Sequence, residues 1–195
     1  MARRVSRATE RAHSRDTLWL RPDGALRLVL VADTHSAPHP KSADHIAALG
    51  PDHILHAGDI GDLAVLRALA EIAPCTAVRG NIDVHAADLP DARTIELRDG
   101  AGTLLKVLLL HIAVYGPRLR ADAARLARAE GASVVVCGHS HVPFLGRDQG
   151  LVVMNPGSIG PRRFHLPILF GVMDVGRDGV RMHHVSAETG ERWEP

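Results

Sequence analysis

Leu26-Arg27-Leu28-Val29-Leu30-Val31-Ala32 is a nearly continuous apolar run that stops at Asp33-Thr34-His35. Such a run marks a strand buried on both faces, as in the parallel sheet of an α/β protein. Residues 53–57 repeat the pattern and deliver Gly58-Asp59, with Gly61 just beyond. A carboxylate at the end of a buried strand is costly unless something cationic receives it. No Lys or Arg follows Asp59 until Arg67. The chain instead offers Asp33 and His35 upstream, and Asn81, His111, His139 and His141 downstream, each where an apolar run gives way to a loop. The pattern suggests one carboxylate shared by two metal ions, with ligands converging from five separate loops.

Working outward, residues 1–16 are polar and Arg-rich and are expected to fray. Residues 17–20 predict a short strand, and Arg21-Pro22-Asp23-Gly24 a turn. A short helix over 42–49 follows the first long strand, then the strand 53–57, a helix over 63–72 ended by Pro74, and a strand over 75–78 before Gly80-Asn81-Ile82-Asp83. This β-α-β-α-β order implies a parallel sheet with right-handed crossovers. The second half changes character. Residues 94–97 and 104–110 read as an antiparallel hairpin ending at His111. An Ala/Arg-rich helix over 119–129 closes at Gly131, and a buried strand over 133–137 ends at Gly138-His139-Ser140-His141. Short strands over 143–146, 152–154, 168–175 and 180–185 follow, with hairpin-type turns at Asp148-Gln149-Gly150 and Arg177-Asp178-Gly179. The expected organisation is an N-terminal extension over 1–24, a basic tail with a short strand, and a single domain over 25–195.

The chain has 195 residues, enough for one domain with a substantial core. Its net charge of +1 predicts no general attraction to nucleic acid or an acidic membrane. An aromatic content of 3% argues against a base-stacking surface. Cys75 and Cys137 lie in apolar runs and read as reduced, buried thiols. The basic start, Met1 to Arg7, lacks the apolar segment of a secretory signal, and Glu10 and Asp16 interrupt a mitochondrial-type presequence. A cytoplasmic location is expected.

Asp, His and Asn together suit Mn²⁺, Fe²⁺, Co²⁺ or Zn²⁺ better than Ca²⁺ or a thiolate-type site. Two such ions can clamp a phosphoryl group and turn a bridging water into hydroxide at neutral pH. The ordered motifs Asp33-x-His35, Gly58-Asp59, Gly80-Asn81-x-Asp83, His111 and Gly138-His139-Ser140-His141 resemble the calcineurin-like metallophosphoesterase superfamily. Asn155-Pro156-Gly157-Ser158 with Pro161-Arg162 resembles its small manganese-dependent phosphodiesterase branch, to which the retromer scaffold subunit also belongs. The resemblance runs from about Leu26 to the C-terminus. It implies an α/β fold, a four-layer α/β/β/α sandwich with two mixed sheets flanked by helices. It further implies that Asp33, His35 and His141 bind a first metal, that Asp59 bridges, and that Asn81, His111 and His139 bind a second. Asp59, Asn81 and His139 carry over as the catalytic candidates, and manganese as the first choice of ion, with Fe, Co, Ni or Zn as alternatives.

Bland roles compete for several residues. Asp33 could cap a helix, and Asn81 could be a turn residue. Asp83 reads as a loop-bracing carboxylate, and His56 as a satisfied core histidine. His13, His183 and His184 read as solvent-facing. Arg162 either touches substrate phosphate or braces the loop at Asn155. The sequence departs from the family pattern at Ser36 and Ile112, where Gly is usual, and at Ile82, where other branches place a His thought to serve the leaving group. The remaining spare histidines near the site are His39 and His85. The expected function is a two-metal phosphodiesterase acting on a small-molecule phosphoester, with no membrane or nucleic-acid partner and a homo-oligomer allowed. A phosphomonoesterase on the same site, a non-catalytic interaction scaffold and a nuclease are the alternatives.

Overall fold

The computed structural model describes residues 12–194. The first half of the chain forms β1 (His13–Trp19), β2 (Ala25–Val31), α1 (Ser42–Ala48), β3 (His53–His56), α2 (Ala64–Ala70) and β4 (Cys75–Ala77). Next come β5 (Ala92–Asp99), β6 (Gly102–Leu110), the two-residue strands β7 (Val114–Tyr115) and β8 (Arg118–Leu119), α3 (Ala121–Glu130) and β9 (Val134–Val136). The chain ends with β10 (Phe144–Asp148), β11 (Leu151–Asn155), β12 (Leu169–Gly176), β13 (Gly179–Ser186) and β14 (Arg192–Trp193).

Two six-stranded mixed sheets result, ordered β1-β5-β6-β9-β11-β10 and β14-β13-β12-β2-β3-β4. In the second, β2, β3 and β4 are parallel as the sequence implies, with Leu30 beside Leu55 and Leu55 beside Thr76. The alternation of side chains along each strand explains the four layers. From β2, Leu28 and Leu30 point into the core shared with Leu97, Val107, Leu109 and Val136 of the facing sheet. Val29 and Val31 point the other way, onto Ile46 of α1 and Val65 and Leu69 of α2. On the opposite sheet Leu108, Leu110 and Val135 face Ala123, Ala124 and Ala127 of α3. Layers therefore run helix, sheet, sheet, helix. This two-sided burial is why the strands lack polar alternation.

Residues 13–16, expected in the frayed tail, instead form the first half of β1. That strand pairs parallel with β5 from His13 opposite Ala92 to Trp19 opposite Arg98, so it belongs to the domain's own sheet. The three histidines expected in solvent are also placed differently. His13 is half-buried, with its Nε2 2.9 Å from the Thr94 hydroxyl. His183 is half-buried, and burial lowers its pKa. His184 is buried and donates from Nε2 to the Asn155 carbonyl at 2.8 Å. All three lie on strands, where one face is covered whatever the local polarity. Cys137 is buried and Cys75 half-buried, both unpaired, and burial pushes each thiol up to about 12. No helix among the described residues is long and apolar enough to cross a membrane.

Candidate metal centre

The loops after β2, β3, β4, β6 and β9 meet at one edge of the sandwich, at the carboxyl ends of parallel strands, where open α/β sheets place their sites. They are laced together through backbone: Asp33 N–H donates to the Gly58 carbonyl, His35 N–H to the Asp59 carbonyl and Gly138 N–H to the His111 carbonyl. Two groups of side chains result. One ligand atom each from Asp33, His35 and His141 lies within 4.8 Å of the others, and the same holds for Asp59, His111 and His139.

Asp59 stands between the groups. Its Oδ1 is 3.2 Å from His111 Nε2, and its Oδ2 is 3.9 Å from His35 Nε2. In the first group His35 Nε2 is 3.1 Å from His141 Nε2, which is 3.4 Å from Asp33 Oδ1. In the second, Asn81 Oδ1 accepts from both sides, 3.1 Å from His111 Nε2 and 2.9 Å from His139 Nδ1. His111 Nδ1 donates to the Ala57 carbonyl at 2.8 Å, which aims Nε2 at Asp59 and Asn81.

The backbone is strained here. Among the described residues eight non-glycines have positive φ, and Asp33, His35, Ser36, Asp59, His139 and His141 are six of them. Each left-handed conformation costs roughly 1–3 kcal/mol and persists only where its surroundings over-determine it. Two glycines leave room for the carboxylates. A methyl at Gly80 would overlap the Asp59 carboxylate, and one at Gly138 would sit 2.8 Å from Asp33 Oδ2.

A ring of partners holds the loops. The Asp83 carboxylate accepts from the N–H groups of Ile60, Gly61 and Gly80, the bracing role its sequence position suggests. His56 is fully buried. Its Nδ1 accepts from Gly58 N–H and its Nε2 donates to Thr34 Oγ1, so it is a satisfied core histidine. The Asn155 amide donates to the Gly138 carbonyl and to Ser140 Oγ, while Ser158 Oγ donates to the Asp33 carbonyl.

Protonation follows burial and charge. Burial, reinforced by the Asp59 charge, outweighs His111 and pushes the Asp33 carboxyl up to about 7. Burial also raises Asp59, but the hydrogen bond and charge of His111, with the Ile82 N–H and His35, hold it at about 2. Burial lowers His35, His139 and His141, the last to about 4. It lowers His111 too, but the hydrogen bond to Asp59 and the Asp33 and Asp59 charges bring its pKa above the ordinary value. Two buried carboxylates converge there with three imidazoles that burial keeps neutral and a fourth, His111, held between Asp59 and Asn81. That fits divalent cations, with Asp33, His35 and His141 able to hold one and Asn81, His111 and His139 another, Asp59 reaching both.

A cavity of about 220 Å³ opens beside the second group, lined by Arg79, Gly80, Asn81, Asp91, His111 and Ile112. A separate cavity of about 560 Å³ lies at the other end of β2 and β12 among Arg21, Arg27, Asp174 and Arg181, and contains none of these residues. It does not bear on the centre. Arg162 binds the Leu166 carbonyl and Glu188, so it braces a turn. The next residue, Arg163, reaches the centre instead, with Nη2 3.3 Å from His35 Nε2. Sequence reading missed it; the doubled arginine after Pro161 was the available signal. His85 is exposed, and the half-buried His39 turns its Nδ1 toward the Lys41 N–H.

A probable metallophosphoesterase of Methanothermobacter thermautotrophicus is 32% identical over 166 residues, covering 83% of this chain and 91% of that one. Wild-type Vps29 from Entamoeba histolytica, solved with Zn²⁺, shares the fold with a TM-score of 0.69 at 18% identity, over 86% of this chain and 96% of that one. An archaeal phosphodiesterase aligns with a TM-score of 0.62 at 18% identity, over 82% of this chain and all of that one. The calcineurin-like phosphoesterase superfamily domain matches residues 26–178, the stretch that carries every loop of the centre up to Arg163, and the chain belongs to that superfamily of metal-dependent phosphoesterases.

Proposed function

We propose that the chain is a two-metal phosphodiesterase acting on a small-molecule phosphoester in the cytoplasm, with Mn²⁺ as its working ion. The observation that carries this reading is the placement of the Asp59 carboxylate, one oxygen facing each group of ligands. When bound, two divalent ions supply charge to the phosphoryl oxygens and acidify a water molecule. The rest falls to the chain. Asp33, His35 and His141 hold the buried position. Asn81, His111 and His139 hold the position beside the open cavity. The braced left-handed loops keep both sets in place at no reorganisation cost during reaction. Two features favour a diester over a monoester: Ile82 occupies the place of a leaving-group acid, and the fold matches that of the archaeal phosphodiesterase.

The test is to strip the protein with a chelator, reload it with Mn²⁺, and compare bis(4-nitrophenyl) phosphate with 4-nitrophenyl phosphate. Hydrolysis that needs two ions per chain and runs faster on the diester is expected. A faster monoester reaction would make the chain a phosphomonoesterase. Two bound ions with no hydrolysis would leave only the interaction-scaffold reading.

A further inference from the structure

We propose that Arg163 anchors a non-bridging phosphoryl oxygen of the substrate above the first metal position, and that it couples phosphate binding to metal binding. The proposal rests on the two-metal reading above. Its first support is placement. The segment leading to Arg163 is pinned to the centre, because Ser158 Oγ donates to the Asp33 carbonyl and Gly160 packs so closely on Asp33 and Thr34 that a methyl there would overlap their carbonyls. Beyond it, Leu166 N–H donates to the Arg163 carbonyl, and Arg162 clamps the Leu166 carbonyl and Glu188. The turn therefore holds Arg163 at the first group.

The second support is charge. Arg79 pairs with Asp91, Arg120 with Asp122 and Arg162 with Glu188. Arg163 is exposed, and among the described residues it has no carboxylate in ion-pair range. Its guanidinium is turned to the centre instead, with Nη2 3.3 Å from His35 Nε2.

The third support is competition for one lone pair. His35 Nε2, which Arg163 approaches, also faces His141 Nε2 and Asp59 Oδ2. A guanidinium N–H and a divalent cation cannot both use it. With a cation in place, Arg163 faces a like charge at short range, and an anion between them removes the repulsion. A guanidinium fork matches phosphate oxygens in pairs. Metal and phosphate should then favour each other, reciprocally.

The experiment titrates Mn²⁺ calorimetrically into metal-free wild type, Arg163→Ala and Arg163→Lys, with and without inorganic phosphate, and measures KM and kcat on bis(4-nitrophenyl) phosphate. In wild type, phosphate should tighten the first Mn²⁺ step by about tenfold. In Arg163→Ala, Mn²⁺ alone should bind as tightly as in wild type or more so, and the phosphate effect should vanish. KM should rise about tenfold or more with kcat nearly unchanged, as for loss of a charged hydrogen bond. Arg163→Lys should recover part of both effects. Weaker binding of Mn²⁺ alone in Arg163→Ala would make Arg163 a brace for His35 and overturn the proposal. So would an unchanged phosphate effect in a wild-type-like variant. A wild-type chain that binds no Mn²⁺ would instead overturn the two-metal reading itself.

Discussion

The two halves of the centre are built differently. In the first, Asp33 and His141 are buried and His35 is half-buried, and all three sit in the left-handed region. In the second, Asp59 and His111 are buried, but Asn81 and His139 are exposed, and Asn81 lines the 220 Å³ cavity. The resting proton also differs. It belongs to a carboxyl in the first half, where Asp33 is raised to about 7, and to an imidazole in the second, where His111 is raised beside Asp59. A closed half suits a tightly held ion, and an open half one that exchanges more readily.

The largest effect expected is at the residue the halves share. Asp59→Asn should lose both ions and all measurable hydrolysis while keeping its fold, because Asp59 lies past the end of β3. Retained activity on bis(4-nitrophenyl) phosphate would remove the bridge.

Next come variants that separate the halves. Even a ligand's hydrogen-bond partner is worth about 10–100-fold in metal affinity. His141→Ala should therefore abolish the tighter calorimetric step, and His139→Ala the weaker one. Wild type should show two unequal steps. Two equal steps, or the same residual step in both variants, would contradict the comparison.

A smaller effect is the pH dependence of the metal-free protein. The unfolded Asp33 carboxyl stays ionised down to about 3.8, whereas the folded one takes up its proton near 7. Its contribution is therefore complete at low pH and lost as pH rises through about 7. His111 has the same sign. From pH 8 to 6.5 the metal-free chain should gain about 1 kcal/mol from Asp33 alone. At lower pH the neutral imidazoles of His35, His56, His139 and His141, with lowered pKa values, oppose the gain. Urea denaturation with chelator across this range is the measurement, and Asp33→Asn should flatten it. A wild-type slope of opposite sign would refute the burial of an ionisable Asp33.

The smallest effects should come from His39→Ala and His85→Ala. General acid catalysis is worth roughly 10²–10⁴ in rate. Ile82 cannot supply it, so rates should fall steeply as the leaving-group pKa rises, and identically in both variants. A variant that steepens a shallow wild-type dependence would identify its histidine as the acid.

Much of the fold and of the candidate centre is legible in the sequence. Residues 26–32 and 53–57 read as doubly buried strands because apolar burial on both sides admits no alternation. The order of Asp33, His35, Asp59, Asn81, His111, His139 and His141 at strand ends placed the candidate ligands on loops. Less legible was β1. Its polar residues pair through backbone to β5, and an edge strand needs little apolar signal. His184 was misread for a related reason, since strand position and neighbours, rather than residue type, decide which face is covered.

By itself, then, the sequence determined which side chains were available to hold metal and that they would stand at the carboxyl ends of parallel strands, because hydrophobic runs and strand ends are local properties. Only the tertiary structure decided that Asp59 lies between the two groups, that six loop residues take left-handed backbone to aim their side chains, and that Arg163, not Arg162, faces His35. Those outcomes depend on distances between residues up to 128 positions apart in the chain. Such distances are set by how two sheets pack, and no local pattern encodes them.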